Sequence, residues 1–154
     1  NVEITTYRTE GEYTDSRHPD RVEFTTSLEL DLSRRDFTVN ALAYDGEITV
    51  VDLFGGEEDI KNKVIRAIGN PYERFNEDAL RILRAVRFSS VLGFDIDAKT
   101  KEAMLECKHL LHKISKERIA VEINKFLCGK NVKNALLDNW EIIAEIIPEI
   151  VRPR

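Results

Sequence analysis

Between Glu77 and Phe88 the sequence spaces one carboxylate and three guanidinium groups three residues apart: Asp78, Arg81, Arg84 and Arg87. On a helix these residues drift slowly around one side, with Glu77 beside them, while Leu80, Leu83 and Val86 occupy another sector. A carboxylate acceptor next to a guanidinium donor complements cytosine and adenine, which share an exocyclic amine beside an unprotonated ring nitrogen. Uracil and guanine present the inverse pattern. A pocket built on Asp78 and Arg81 accepts the first two bases and rejects the others, because the wrong base leaves buried charges unpaired. Arg84 and Arg87, one and two turns further on, are spaced to hold a triphosphate by charge-assisted hydrogen bonds. The competing reading is a solvated helix face, in which an Asp78–Arg81 ion pair contributes about 0.3 kcal/mol and nothing more.

A second cluster, Arg34-Arg35-Asp36 with Asn40, reads on its own as a helix N-cap, Asp36, preceded by two solvated arginines. In Asp52-Leu53-Phe54-Gly55-Gly56 the glycines permit a tight turn with positive φ, and no catalytic role is assigned. Glu3 sits on an early strand and, taken alone, is an exposed carboxylate; Asp15 and Asp20 belong to a loop. Cys107 and Cys128 form no C-x-x-C pair, which argues against a zinc site or a disulfide and for two reduced core residues.

The elements that must position these groups follow from periodicity and breakers. Residues 2–8 and Val22–Thr25 read as strands separated by a loop over Thr9–Asp20. Leu28, Leu32, Phe37 and Ala41-Leu42-Ala43 suit helical packing, and Asp45-Gly46 turns the chain into a strand over 47–53. A short helix over Asp59–Lys63 and a strand over Val64–Ile68 close this part at Gly69-Asn70-Pro71. Helical periodicity then dominates. One helix is expected from Asn76 to Leu92, stopped by Gly93, and a second from an Asp97 N-cap to Leu111. A third runs from Ser115 to Cys128 with Gly129 at its end, and an apolar terminal segment spans Val132–Ile147.

The chain has 154 residues, 42% hydrophobic, enough for one average domain or two small ones with a core. Its formal charge of −5 does not advertise a general nucleic-acid binder, so any RNA contact must use a local basic surface such as Arg74–Arg87. The acidic surplus lies elsewhere, in Glu57-Glu58-Asp59 and from Glu141 to Glu149. No run of 18 apolar residues and no leader peptide is visible, so the expectation is a cytoplasmic protein without a membrane partner.

The strings Arg34-Arg35-Asp36-Phe37-Thr38-Val39-Asn40, Asp52-Leu53-Phe54-Gly55-Gly56-Glu57-Glu58-Asp59 and Arg74-Phe75-Asn76-Glu77-Asp78 through Phe88 resemble three ordered motifs of class II tRNA nucleotidyltransferases, the CCA-adding enzymes, and bacterial poly(A) polymerases. Tyr7–Glu10, Arg17-His18-Pro19-Asp20, Leu92-Gly93-Phe94 and Ser115–Ile119 match the same family. The resemblance implies an α+β fold: a partial nucleotidyltransferase (palm/head) α/β segment over 1–70, then an all-helical neck domain over 71–154 that carries the nucleotide-reading helix and runs into a helical body. It further implies that Arg35 contacts the nucleotide and that Asp36 and Asn40 shape the ribose pocket. Glu3 resembles the third carboxylate lining the catalytic metal site. The expected activity is template-independent addition of C and A to a tRNA 3′ end from CTP and ATP. Family members hold two Mg²⁺ on an Asp-x-Asp pair, one ion activating the 3′-hydroxyl and the other neutralising the triphosphate. That pair is expected upstream of Asn1, so the chain reads as a piece truncated at both ends and inactive alone. The family locates the switch from C to A addition in the loop Thr9–Asp20. Poly(A) addition, a split CC- or A-adding enzyme, and a non-catalytic RNA- or nucleotide-binding module are the alternatives.

Overall fold

Asp52 shows how this sequence builds its first half. Its carboxylate accepts the N–H groups of Phe54, Gly56 and Glu57 at 3.2, 2.9 and 2.9 Å. The turn is closed by Gly55 at φ 78°, a left-handed conformation that suits glycine. At Gly56 a Cβ would stand 2.3 Å from the Thr38 carbonyl oxygen, so the turn also lets this helix start press onto the Thr38 backbone. The computed structural model that gives this geometry describes residues 6–10, 22–44, 46 and 49–151.

Among the described residues the strands form three pairs. β1 (Arg8–Glu10) runs antiparallel to β2 (Val22–Phe24), and β3 (Leu42–Tyr44) antiparallel to β4 (Val50–Asp52). β5 (Val64–Ile65) lies parallel to β6 (Asp95–Ile96). α1 (Leu28–Ser33), capped by Ser27, and a 3-10 turn over Thr38–Asn40 connect β2 to β3, and α2 (Gly56–Asn62) follows β4. The rest is helical: α3 (Pro71–Glu77), α4 (Leu80–Leu92), α5 (Ala98–Cys107), a 3-10 stretch Lys108–Lys113, α6 (Lys116–Leu127), α7 (Val132–Asp138) and α8 (Trp140–Ile146). The fold is α+β, as expected. Phe37, Ile65 and Ala67 from the mixed part join Phe75, Ile82, Val86, Met104 and Ile142 in one buried cluster.

Several expected elements divide where a polar side chain captures the backbone. The helix expected over 76–92 is two, α3 and α4, because Asp78 is extended (φ −146°, ψ 102°) and its carboxylate takes the Leu80 N–H at 3.0 Å. The segment 132–147 is parted at Asn139, whose side-chain amide donates to the Ala135 carbonyl at 2.8 Å. Asp97 does cap α5, but the helix tightens to 3-10 geometry at Lys108. Leu42–Tyr44 is strand rather than helix, since it pairs with β4. Cys107 is buried, whereas Cys128 is exposed rather than in the core; both are free thiols. Among the described residues no helix is long and apolar enough to cross a membrane.

Candidate functional site

Arg84, on the second turn of α4, donates from Nε to Oδ2 of Asp36 at 2.6 Å. Asp36 is buried, and its other oxygen accepts the Phe37 N–H at 2.9 Å and the Asn40 side-chain amide at 3.0 Å. It therefore organises the 3-10 turn and the start of α4 instead of capping a helix. Arg35 is half-exposed; its Nη1 donates to the Asn40 carbonyl at 2.9 Å and its Nη2 stands 3.5 Å from Asp31. The structure thus brings Arg35, Asp36, Asn40 and Arg84 to one place.

Asp78 and Arg81 do not pair with each other. The break at Asp78 turns its carboxylate toward α6, where Arg118 Nη2 donates to Oδ2 at 2.7 Å. Arg81 is buried and donates to Glu77 Oε2 at 2.5 Å and to the carbonyls of Arg74 and Arg34 at 3.1 and 3.0 Å. The Arg34 carbonyl is contributed by the Arg-Arg-Asp segment, so α4 grips that segment twice, through Arg81 and Arg84. Arg74 completes the seam by donating to the Ser33 carbonyl at 3.2 Å and pairing with Glu77.

Arg87 stands apart. Its guanidinium lies 4.2 Å from the Phe88 ring centre, and its Nε is 3.0 Å from Glu122 Oε2 on α6. Both atoms are buried and not aligned for a hydrogen bond, so the pair is ionic. Arg84 lies 5.6 Å from the same ring, and Phe88 meets Phe37 edge-on at 5.9 Å. Glu3, Asp15, Asp20 and most of the Thr9–Asp20 loop fall outside the described residues.

Three partners carry no assigned role in the sequence reading: Asp31, Arg118 and Glu122. Asp31 is buried and accepts the Arg8 N–H at 3.2 Å and Arg34 Nη2 at 2.7 Å, which ties β1 to the arginine pair. Burial alone would raise its carboxyl, but the bonds from Arg34, the Arg8 N–H and Arg35 outweigh it and hold it below its ordinary value of 3.8. Arg118 and Glu122 are spaced four apart on α6, a pattern that reads locally as a surface ion pair. Each instead reaches across to α4 or its approach.

A divalent metal would need a converging set of carboxylates or histidines. Among the described residues no group of three or more His, Cys, Asp or Glu is placed to hold one. Asp95-Ile96-Asp97 has an alternating spacing, yet Asp97 is already used: it caps α5 at the Thr100 N–H (3.2 Å) and receives Arg66 Nη1 at 2.8 Å. The described residues do not fit a metal site.

The family model described as "Poly A polymerase head domain" matches residues 1–66, and that described as "Probable RNA and SrmB- binding site of polymerase A" matches residues 93–152. A CCA-adding enzyme of Ligilactobacillus salivarius is 58% identical over 134 residues, covering 87% of this chain and 33% of the relative. The Bacillus stearothermophilus CCA-adding enzyme in complex with CTP superposes with a TM-score of 0.78 at 45% identity, over 86% of this chain and 31% of that one. The Thermotoga maritima CCA-adding enzyme complexed with tRNA gives 0.70 at 31% identity, over 79% and 31%. The chain spans about a third of the length of the relatives it matches.

Proposed function

The chain belongs to the poly(A) polymerase and CCA-adding nucleotidyltransferase family, and we propose that it is the nucleotide-selecting part of an enzyme that adds C and A to a tRNA 3′ end from CTP and ATP. The observation that carries this reading is the double grip of α4 on the Arg-Arg-Asp segment: Arg84 on Asp36, and Arg81 on the Arg34 carbonyl. It supports a single pocket with a base-reading end at Asp78 and Arg81 and a polar wall at Asp36 and Asn40.

Asp78 has unused lone pairs beyond those taken by Leu80 and Arg118, and these accept the exocyclic amine of cytosine or adenine. The hydrogen bonds of Arg81 to Glu77 and to the Arg74 and Arg34 carbonyls use its two Nη atoms, so Nε–H is the donor for the ring nitrogen. Asp36 and Asn40 face the ribose. Arg84 binds Asp36 through Nε alone, and its Nη atoms serve the triphosphate together with Arg35 and, after release from Glu122, Arg87. CCA-adding enzymes are nucleotidyltransferases that generally use a divalent metal; we take the ion to be Mg²⁺ and Glu3 to be one of its carboxylates. The described residues supply no ligand set for it. We assign residues 1–70 to the head and 71–154 to the neck.

The head-domain match keeps poly(A) addition as a second reading. A chimera separates the two: this chain grafted into the remaining sequence of the Ligilactobacillus salivarius relative, assayed on a tRNA lacking its 3′ CCA. Incorporation of CMP and then AMP, ending after three nucleotides, supports CCA addition. Long adenylate tails without CMP support the second reading.

A further inference from the structure

Arg66 follows β5 and reaches two carboxylates, one in α2 and one at the start of α5. Its Nε and Nη2 fork onto Asp59 at 3.1 to 3.2 Å, and its Nη1 donates to Oδ1 of Asp97, the cap of α5, at 2.8 Å. Asp59 belongs to residues 1–66, matched as a head domain, and Asp97 to residues 93–152, matched separately. The two acid side chains are 8% and 17% exposed, so both need the countercharge that a half-exposed Arg66 supplies. Ion pairing explains that much. It does not explain what else Asp59 holds: Thr38 Oγ1 donates to Asp59 Oδ2 at 2.6 Å, and both residues are buried.

Thr38 sits midway between Asp36 and Asn40 in the sequence, and its backbone N–H donates to the Arg66 carbonyl at 3.0 Å. The Ile68 N–H closes on the Asp36 carbonyl at 3.1 Å. Arg66 thus holds this turn directly by its main chain and, through Asp59, by its side chain. Arg84 holds the Asp36 carboxylate at 2.6 Å from α4, so the turn is clamped by two arginines. The Asn40 amide spends one N–H on Asp36 and, among the described residues, keeps its Oδ1 for a sugar hydroxyl. Such a group discriminates only if it stays fixed when the hydroxyl is missing, since a mobile one finds water instead. We propose that Arg66 is a positioning residue for sugar recognition: through Asp59 and Thr38 it fixes the Asp36–Asn40 wall, and so sets the preference for a ribonucleotide over its 2′-deoxy counterpart. This rests on the reading of Asp36 and Asn40 as the ribose wall.

The test titrates the chain, Arg66→Ala, Arg66→Lys, Asp97→Asn and Asn40→Ala with CTP, dCTP and UTP, each variant's fold being checked by thermal unfolding. In the unsubstituted chain CTP is expected to bind more tightly than dCTP. Arg66→Ala lowers that ratio about tenfold, one hydrogen bond's worth of discrimination. Arg66→Lys, which keeps a charge for Asp59, restores part of it. The ratio of CTP to UTP affinity stays, because Asp78 is held by Arg118 and the Leu80 N–H rather than by Arg66. Asp97→Asn keeps a capping side chain on α5 and removes only the ion pair; it serves where Arg66→Ala does not fold, and a smaller fall in the same ratio is expected from it. Equal losses of CTP and dCTP affinity, or an unchanged ratio in the folded variants, overturn the proposal. If Asn40→Ala alone abolishes the ratio, the wall stands and only the Arg66 link falls. Equal binding of CTP and dCTP by the unsubstituted chain removes the wall and the proposal with it.

Discussion

Arg84 Nε and Asp36 Oδ2 are 2.6 Å apart although 48 residues of chain separate them, and Asp36 is buried while the arginine side chain is about one-third exposed. The pair fastens the start of α4 to the turn that carries Asn40. Arg84→Ala strands a buried carboxylate; discounted for the solvent around Arg84, the expected cost is about 1–2 kcal/mol. It also weakens CTP and ATP binding alike, since phosphate contacts carry no base information. Thermal unfolding and nucleotide titration of Arg84→Ala, Asp36→Asn and the double variant check this. The double variant is expected to lose less stability than the two single losses added together.

Arg118 holds the Asp78 carboxylate from α6. Arg118→Ala is expected to reduce discrimination of CTP over UTP without abolishing CTP binding, because Asp78 keeps its Leu80 anchor. Arg118→Lys restores part of it. Competition of UTP against labelled CTP reads the ratio. An unchanged ratio in Arg118→Ala would remove Arg118 from any positioning role.

Arg87 and Glu122 form the most enclosed ion pair of the site, with side chains 13% and 6% exposed. Removing Arg87 alone leaves Glu122 buried without a countercharge, and about 3 kcal/mol of stability is expected to go with it. Arg87→Met with Glu122→Met is expected to recover most of that loss. Denaturant midpoints of the three variants decide. If the double substitution is as unstable as Arg87→Ala, the stacking on Phe88 rather than the pairing is what matters.

Asp31 and Asp52 give the fold an acid limit. Burial pushes both carboxyls up, but the Arg34, Arg8 N–H and Arg35 bonds to Asp31, and the Glu57, Gly56 and Phe54 N–H bonds to Asp52, bring both below their ordinary 3.8. A carboxyl with a lowered folded pKa contributes stability that is present above its unfolded value and lost as pH falls through its folded value. Melting temperatures are therefore expected to be flat from about pH 6 to about pH 4 and to fall below that. The fall is shallower in Asp31→Asn, which starts from a lower stability at neutral pH.

Much of this was legible in the sequence where local chemistry decides. Gly93 ends α4 at φ 69°, Asp97 caps α5, and the Arg-Arg-Asp segment does meet the Asp78–Arg87 stretch. Positions decided by distant packing were not. Gly129 lies past the end of α6 as expected, yet not for a left-handed turn: a Cβ there would stand 2.0 Å from Ser90 Oγ on α4. Arg118 and Glu122 look like a surface pair in sequence, and only the crossing of α6 over α4 shows that their partners are Asp78 and Arg87. Asp78 and Arg81 are not side by side because Asp78 breaks the helix whose spacing would have paired them.

Asp78 and Arg81 are proposed to choose the base. Titration of the chain with CTP, ATP, UTP and GTP in turn, and of Asp78→Ala with the same four, tests it directly. The predicted result is that CTP and ATP bind more tightly than UTP and GTP by about 1–3 kcal/mol, and that Asp78→Ala removes the difference while phosphate affinity remains. Four equal affinities in the unsubstituted chain, or a preference that survives Asp78→Ala, would contradict it.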